Sequence, residues 1–405
     1  MFARPCGLVG VPTQGATRPE WGPVPPVYSV LVAGKGLARF ECGSRIGYDD
    51  AKFTFIAQDK IETVQPVANH EAAINLVLET IQQQSEKTGV GLKDIDAAGH
   101  RVVHGGSKMS DSQIIDEKII AYIESICRLA PLHNPNHLKG IRAVMKLLPD
   151  LPQAAVFDNG YHTSIPEHVY TYALNYEIAQ KLGIRKYGFH GIAFRSMMIA
   201  AEKLLGEGLG DKKIVNMMLG SGTTANATLN GKSFDVSTGF TPQEGLIQST
   251  RAGDMDTASV LFMMNEMNLT TKQADDILNK ESGWSGLSGI GLDMYDIRKA
   301  AESGSHRAQL TRKAVAHRFR KYIGAYAAAM GGIDLLIFSG GVGENDSHMR
   351  EKVCETLGFL GIALDQEANH NGQGERIIST GKTKVLVVNA SEEKMIARDT
   401  YDLLK

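Results

Sequence analysis

Apolar positions fall into regular patterns from Val27 onward and into none before it. VYSVLVAG (27–34) reads as a buried strand ending in Gly. Over 70–88 the apolar residues Ala73, Ile74, Leu76, Val77, Leu78 and Ile81 recur at helical spacing and predict a helix. IDAAGHRVVHGG (95–106) reads as a strand entering a His- and Gly-rich loop, and 111–129 and 136–148 as helices split by APLHNPN (130–136). AAVFDNGYH (154–162) is a short apolar strand that stops at Asp158, and IRKYGFHG (184–191) is a turn of mixed polarity. Residues 212–237 read as strand, Gly turn, strand and an Asn-Gly hairpin. Helices are predicted over 293–304 and 306–330, a buried strand and Gly turn over IDLLIFSGGVGEN (333–345), and a strand followed by a helix over 383–404. Strands and helices alternate throughout, so the class is α/β. The unit of apolar strand plus Gly-rich turn recurs at 214–222 and 335–343, a hint of duplicated nucleotide-binding halves.

A chain of 405 residues has room for two or three domains, each with its own core. The net charge of −2 argues against a generalised nucleic-acid binder. No apolar run reaches the roughly 18 residues of a membrane span. Cys6, Cys42, Cys127 and Cys354 are scattered without a CxxC pair, which excludes a disulfide scaffold and a Cys-based zinc site and suits the reducing cytoplasm. Six of the 13 prolines lie in the first 30 residues, so that stretch reads as irregular or as an altered terminus covering 1–43. No apolar segment of the signal-peptide kind follows Arg4.

The 43 glycines cluster after apolar runs, where backbone N–H groups can approach an anion. Met218, Leu219, Gly220, Ser221 and Gly222 form one such turn, which a plain strand-to-strand turn would also resemble. Gly341, Val342, Gly343, Glu344 and Asn345 form a second, at the start of a helix. Neither is GxGxxG or GxxxxGK[ST], so a Rossmann site and a P-loop are unsupported. Arg101, at the end of a strand, can hold a carboxylate or phosphate with a bidentate fork, or pair with a local acid. His100 and His104 read as structural, because no third ligand of suitable spacing follows. Asp158 ends a buried strand, where open α/β sheets bind ligands, and it can equally cap the Asn159-Gly160 turn. His190 can donate to a phosphoryl oxygen, and Arg251 can neutralise charge developing in transfer.

Together these segments resemble the acetate kinase family, from about residue 44 to the C-terminus. GHRVVHGG (99–106), APLHNP (130–135), VFD (156–158), RKYGFHG (185–191), GFTPQEGL (239–246), TRAGDMD (250–256), KESGWSGLSGI (280–290) and GGVGEN (340–345) occur in the family's order and spacing. The resemblance implies two actin-like (ribonuclease H-like) domains with mixed sheets flanked by helices, residues 1–158 plus 392–405 and residues 159–391. It also implies a homodimer that makes acetyl phosphate from ATP and acetate, reversibly, with Mg2+, by direct in-line transfer and with no nucleic-acid or membrane partner.

Carried over residue by residue, Asp158, His190 and Arg251 are catalytic, and Arg101 binds the carboxylate. Val103, Leu132, His133, Phe189 and Pro242 belong to the substrate side. Met218 to Gly222, Asp293, Met294, Tyr295 and Gly341 to Asn345 belong to the nucleotide. Glu392 is the acid that helps place Mg2+, with Glu393 one register away. The acceptor is already ionised, so Asp158 is expected to act through metal placement and orientation.

Several positions depart from the family. Its opening Asn-Ala-Gly-Ser-Ser-Ser turn and Lys are absent, whether the alignment uses Val11 and Arg18 or Val32 and Arg39. Met218 and Ser221 replace the His and Asn of its second phosphate turn, Ile192 to Phe194 replace Thr-Ser-His, and Tyr295 replaces an Arg. All of these lie on the nucleotide, phosphate or metal side. They leave two readings: an acetate kinase, with activity reduced by the altered turns, or a catalytically weakened paralogue that acts as a carboxylate-binding or regulatory protein.

Overall fold

The computed structural model describes residues 9–10, 29–32, 38–42, 51–56, 60–65, 70–88 and, apart from Leu132, 91–405. The chain divides into two units: Phe2–Gly160 with Ser391–Lys405, and Tyr161–Ala390.

The first unit is built on β1 (Val9–Gly10), β2 (Ser29–Val32), β3 (Ala38–Cys42), β4 (Ala51–Ile56), β5 (Lys60–Gln65), β6 (Ala98–Val102), β7 (Gln113–Ile114) and β8 (Gln153–Phe157). They lie in the order β5-β4-β3-β2-β1-β6-β8-β7. β2 to β5 form an antiparallel meander, and the two-residue β1 stands between β2 and β6. β6 and β8 run parallel, Arg101 opposite Val156, and both are buried throughout. That burial explains their apolar runs, because helices cover both faces. On one face Val102, Ala155 and Phe157 pack against Ile120, Ile123, Leu138 and Ile141 of the helices Glu117–Ser125 and Asn134–Leu147. On the other lies the C-terminal helix Glu392–Leu403, so close that a Cβ on Gly99 would stand 2.4 Å from Thr400 Oγ1. Only glycine admits that approach.

The second unit holds β9 (Lys213–Leu219), β10 (Thr223–Leu229), β11 (Lys232–Val236), β12 (Leu335–Ser339), β13 (Arg376–Ile377) and β14 (Lys384–Val387), in the order β11-β10-β9-β12-β14-β13. β9 to β11 form an antiparallel meander, and β12 and β14 continue the sheet in parallel with β9. The predicted Asn-Gly hairpin is present, with φ of 52° at Asn230 and 72° at Gly231. Alternate β9 residues serve two cores. Ile214 and Met218 meet Phe194 and Met197 of the helix Gly191–Leu205, while Val215, Met217 and Leu219 share a core with Phe319 and Ile323 of the helix His306–Met330.

The α/β expectation, with mixed sheets flanked by helices, is met. Two finer readings are corrected. Residues 111–129 are not one helix: β7 comes first, and the helix starts after Asp116, whose carboxylate caps it by accepting from Ile119 N at 2.8 Å. The two strand-plus-Gly segments are not duplicated halves. They are the neighbouring parallel strands β9 and β12, with Ser339 opposite Met218, so both turns leave one edge of one sheet. The β3–β5 hairpins and the helices Gly191–Leu205 and Thr257–Glu266 were not anticipated from the pattern. Among the described residues no helix is long and apolar enough to cross a membrane.

Candidate active site

In the first unit the parallel ladder of β6 and β8 brings together two predicted residues 57 positions apart. Arg101 Nη2 donates to Asp158 Oδ2 at 2.7 Å, and both side chains are buried. Strand alternation puts Arg101 on the same face as Gly99, the face covered by the C-terminal helix. Glu392 opens that helix and is buried, whereas Glu393 is half-buried. Burial alone would push the Arg101 guanidinium down. The charge of Asp158, then Glu392, and more weakly Glu393, outweighs it and holds the group above its ordinary value. Arg101 Nε is buried and makes no hydrogen bond among the described residues.

The loop after β6 is held from below. Asn159 Oδ1 accepts from Gly105 N at 2.7 Å, its Nδ2 donates to Gly106 O at 2.8 Å, and Tyr122 Oη donates to Gly105 O at 2.9 Å. Val103 is buried in the same loop, and His133 precedes the helix Asn134–Leu147. Leu132 lies outside the described residues. His100 and His104 are both buried. His100 is fully buried with Nε2 2.7 Å from Gln153 Oε1, and burial pushes it down to about 4. Burial, and then the nearby His133, lower His104 to about 4, and its Nδ1 accepts from Gly106 N at 2.9 Å.

In the second unit His190 caps the helix Gly191–Leu205 from a left-handed conformation, φ 61°. Phe189 beside it is buried; its N donates to Thr238 Oγ1 at 3.0 Å, and its O lies 3.0 Å from His162 Nε2. His190 Nδ1 lies 2.9 Å from Thr224 Oγ1, which orients the ring. A Cβ on Gly222 would stand 3.2 Å from His190 Cε1 and 3.5 Å from Gln248 Oε1, so the turn lies against both side chains. Gln248 Oε1 accepts from Arg251 Nη1 at 3.0 Å, and its Nε2 donates to Pro242 O. His190, Gly222, Pro242 and Arg251 are thereby drawn together. Arg251 Nε is buried without a hydrogen bond among the described residues, and burial pushes its guanidinium down, partly offset by Asp275. An arginine keeps its charge even so, and an anion is its natural complement.

The remaining nucleotide candidates divide. Met218 and Leu219 are core side chains, so only backbone groups of that pair can face a ligand, while Ser221 is exposed and bonded to Ser249 through their hydroxyls at 2.8 Å. Beside it, Gly340–Asn345 forms a short helix. Glu344 folds back within it, accepting from Gly340 N at 2.8 Å, and burial raises its carboxyl. Val342 packs partly on the core, and Asn345 Nδ2 donates to Gly341 O at 3.0 Å. Asp293 is an exposed cap, accepting from Tyr295 N at 2.9 Å; Tyr295 is exposed and Met294 belongs to the core. Val11 and Arg18 lie outside the described residues, while Val32 and Arg39 fall on the paired strands β2 and β3. Thr224, Gln248 and His162 escaped the sequence reading, and Asn159 figured in it only as a turn former. Each acts by holding a predicted residue or loop, and only adjacency to the motifs could have pointed to them.

The model of the acetokinase family matches residues 39–398. The chain is 45% identical over 365 residues to the acetate kinase of Heliobacterium modesticaldum, covering 89% of this chain and 92% of that protein. To the acetate kinase of Halothermothrix orenii it is 46% identical over 349 residues, covering 85% and 87%. Among solved structures, Porphyromonas gingivalis acetate kinase superposes with a TM-score of 0.86 at 37% identity, over 99% of this chain and 100% of that one. A Francisella tularensis propionate kinase gives 0.84 at 32%, over 91% and 93%.

Proposed function

The chain belongs to the acetokinase family, and on that premise we propose a division of labour between its two units in an acetate kinase reaction. The reaction is reversible phosphoryl transfer between ATP and acetate, giving acetyl phosphate and ADP, on an actin-like fold. The proposed domains are 1–158 with 392–405, and 159–391. Arg101 binds the acetate carboxylate, with Val103, Leu132, His133, Phe189 and Pro242 around the substrate. Arg251 and His190 stabilise the phosphoryl group in flight. The nucleotide is assigned to the turns 218–222 and 341–345 and to 293–295. Transfer through a loose transition state needs positive charge and alignment more than covalent help. One observation carries the reading: a half-buried arginine and an oriented histidine lie beside a glycine turn, the arginine being Arg251, whose buried Nε makes no hydrogen bond among the described residues.

The family's divalent ion is assigned to Asp158 and Glu392 and proposed to be Mg2+. The donor set fits: two buried carboxylates lie close enough to Arg101 for their charge to raise its guanidinium, and Mg2+ takes oxygen ligands with one or two carboxylates and substrate phosphates. Such an ion neutralises charge on phosphate oxygens. Asp158 also orients the Arg101 fork through its hydrogen bond. The reduced activity expected from the altered turns is not borne out, because relatives at 45% identity or so are acetate kinases. The departure at Met218 falls on a core side chain, and backbone N–H groups can still serve phosphate there. A cytoplasmic homodimer belongs to the same proposal. The helix Thr257–Glu266 buries no residue in the chain and exposes Leu261 and Phe262, a surface suited to a second copy. A coupled assay of ADP release with acetate and Mg-ATP tests the whole reading. ADP release that requires acetate supports it; none with active controls overturns it.

A further inference from the structure

The helices Ser347–Cys354 and Gln366–Asn371 of the second unit bring two imidazoles and a carboxylate together. His348, Glu351 and His370 each offer a ligand atom, and these atoms all lie within 4.8 Å of one another. His348 and Glu351 are three apart on one helix and so share a face. The two helices are locked by a buried arginine between the ligands. Arg350 Nε donates to Asn369 Oδ1 at 2.8 Å and its Nη2 to Asn369 O at 2.7 Å, while Asn369 Nδ2 donates to Ser347 O at 3.2 Å. The backbone beside every ligand is therefore already ordered.

His370 has the orientation of a metal ligand. Its Nδ1 lies 2.9 Å from Ser347 Oγ, and its Nε2 points at Glu351 Oε2, 3.5 Å away. A hydrogen bond at one ring nitrogen that aims the other at the site is how ligating histidines are usually held. The His348 ring stands edge-on to it, centroids 5.0 Å apart.

We infer that His348, Glu351 and His370 form a binding site for a divalent transition metal of the zinc class. Two imidazoles and one carboxylate suit Zn2+, Co2+ or Ni2+ and leave a fourth position for water, whereas Mg2+ prefers an oxygen set. Bonds of about 2.0–2.2 Å require the ligand atoms to draw closer. His348 is exposed and can swing inward. Arg350 Nη1 also donates to Gly343 O at 2.9 Å and Glu344 O at 3.0 Å, so this site and the second glycine turn share one buried guanidinium.

The test is equilibrium dialysis of the untagged full chain against Zn2+ in excess Mg2+, with Co2+ as a spectroscopic probe. The expected result is one equivalent bound, a higher Tm with Zn2+, and a visible Co2+ band of low-coordinate type. All three should vanish in the His348→Ala/His370→Ala double variant. Ser347→Ala should weaken binding about 10- to 100-fold. If the double variant fails to fold, Glu351→Gln serves in its place. No stoichiometric binding by the wild type, or binding unchanged in these variants, overturns the inference.

Discussion

Arg101, on β6, and Asp158, the residue that follows the adjacent parallel strand β8, are bound to each other: Nη2 donates to Oδ2 at 2.7 Å, with both side chains buried. One residue was assigned to acetate and the other to the metal, and the pair shows how both are held in place. The bond leaves Arg101 Nε unused among the described residues.

Removing one partner therefore has two consequences. Arg101→Ala is expected to lower turnover at least about a hundredfold, because a fixed charge at a developing anion contributes a few kcal/mol. It also breaks a buried ion pair with Asp158, which is expected to lower stability by about 3–5 kcal/mol. Turnover and thermal unfolding measured on the same preparation separate the two. A near-normal rate would remove Arg101 from the mechanism.

Arg251 makes its one described side-chain hydrogen bond to Gln248, so its replacement disturbs little else. Arg251→Ala is expected to reduce kcat by about a hundredfold or more with a small change in Tm. Arg251→Lys should not restore it, since a lysine lacks the planar fork. Gln248→Ala should show a weaker version of the same loss. Full activity in Arg251→Lys would argue that only charge matters.

Thr224 holds His190 through Nδ1. Thr224→Val keeps the shape and removes the hydroxyl. The expected outcome is a fall in kcat of about tenfold, the equivalent of one hydrogen bond, with KM for acetate nearly unchanged. A change confined to KM would place His190 in ground-state binding instead.

Val103 is buried in the loop after Arg101. A pocket closed by it should favour acetate over propionate by about 10- to 200-fold in kcat/KM, the usual worth of one methylene. Val103→Ala should shift that preference toward propionate. Equal preference in both proteins would mean that Val103 is a core residue and not part of the pocket.

Burial lowers both His100 and His104 to about 4. Below the unfolded value of about 6.5 the unfolded chain binds more protons, so stability falls with falling pH. The contribution is complete above about pH 6.5 and is lost progressively toward pH 4, by a few kcal/mol on the order of one pKa shift per histidine. Tm measured from pH 8 to 4.5 should decline accordingly, and His100→Gln should flatten the decline. A flat acid limb in the wild type would refute it.

The alternation of buried runs with Gly turns made the α/β class and the principal strands legible, because a strand covered on both faces must be apolar throughout. The motif residues Arg101, Asp158 and His190 were legible for a related reason: each sits where a strand or helix end meets a loop, whereas Arg251 lies within the long loop between β11 and the helix Thr257–Glu266 and was legible from its motif alone. The residues that hold them were not. Thr224 reads as one of many strand threonines, Gln248 as a loop residue and Asn159 as a turn former, until the fold shows what each touches. The boundary at Asp116 was missed because the apolar spacing of 111–129 suits a helix, and a local cap decided where it begins.

By itself, then, the sequence determined which chemistry was present and which elements carried it. Local propensity and side-chain type are properties of short stretches. Only the tertiary structure decided the pairings. It joined Arg101 to Asp158 across 57 residues, laid the two glycine turns side by side on β9 and β12, and brought Glu392 from the far end of the chain to Arg101. Those relations depend on strand order and on the close approach that Gly99 permits, and they arise from long-range packing that no short stretch of sequence encodes.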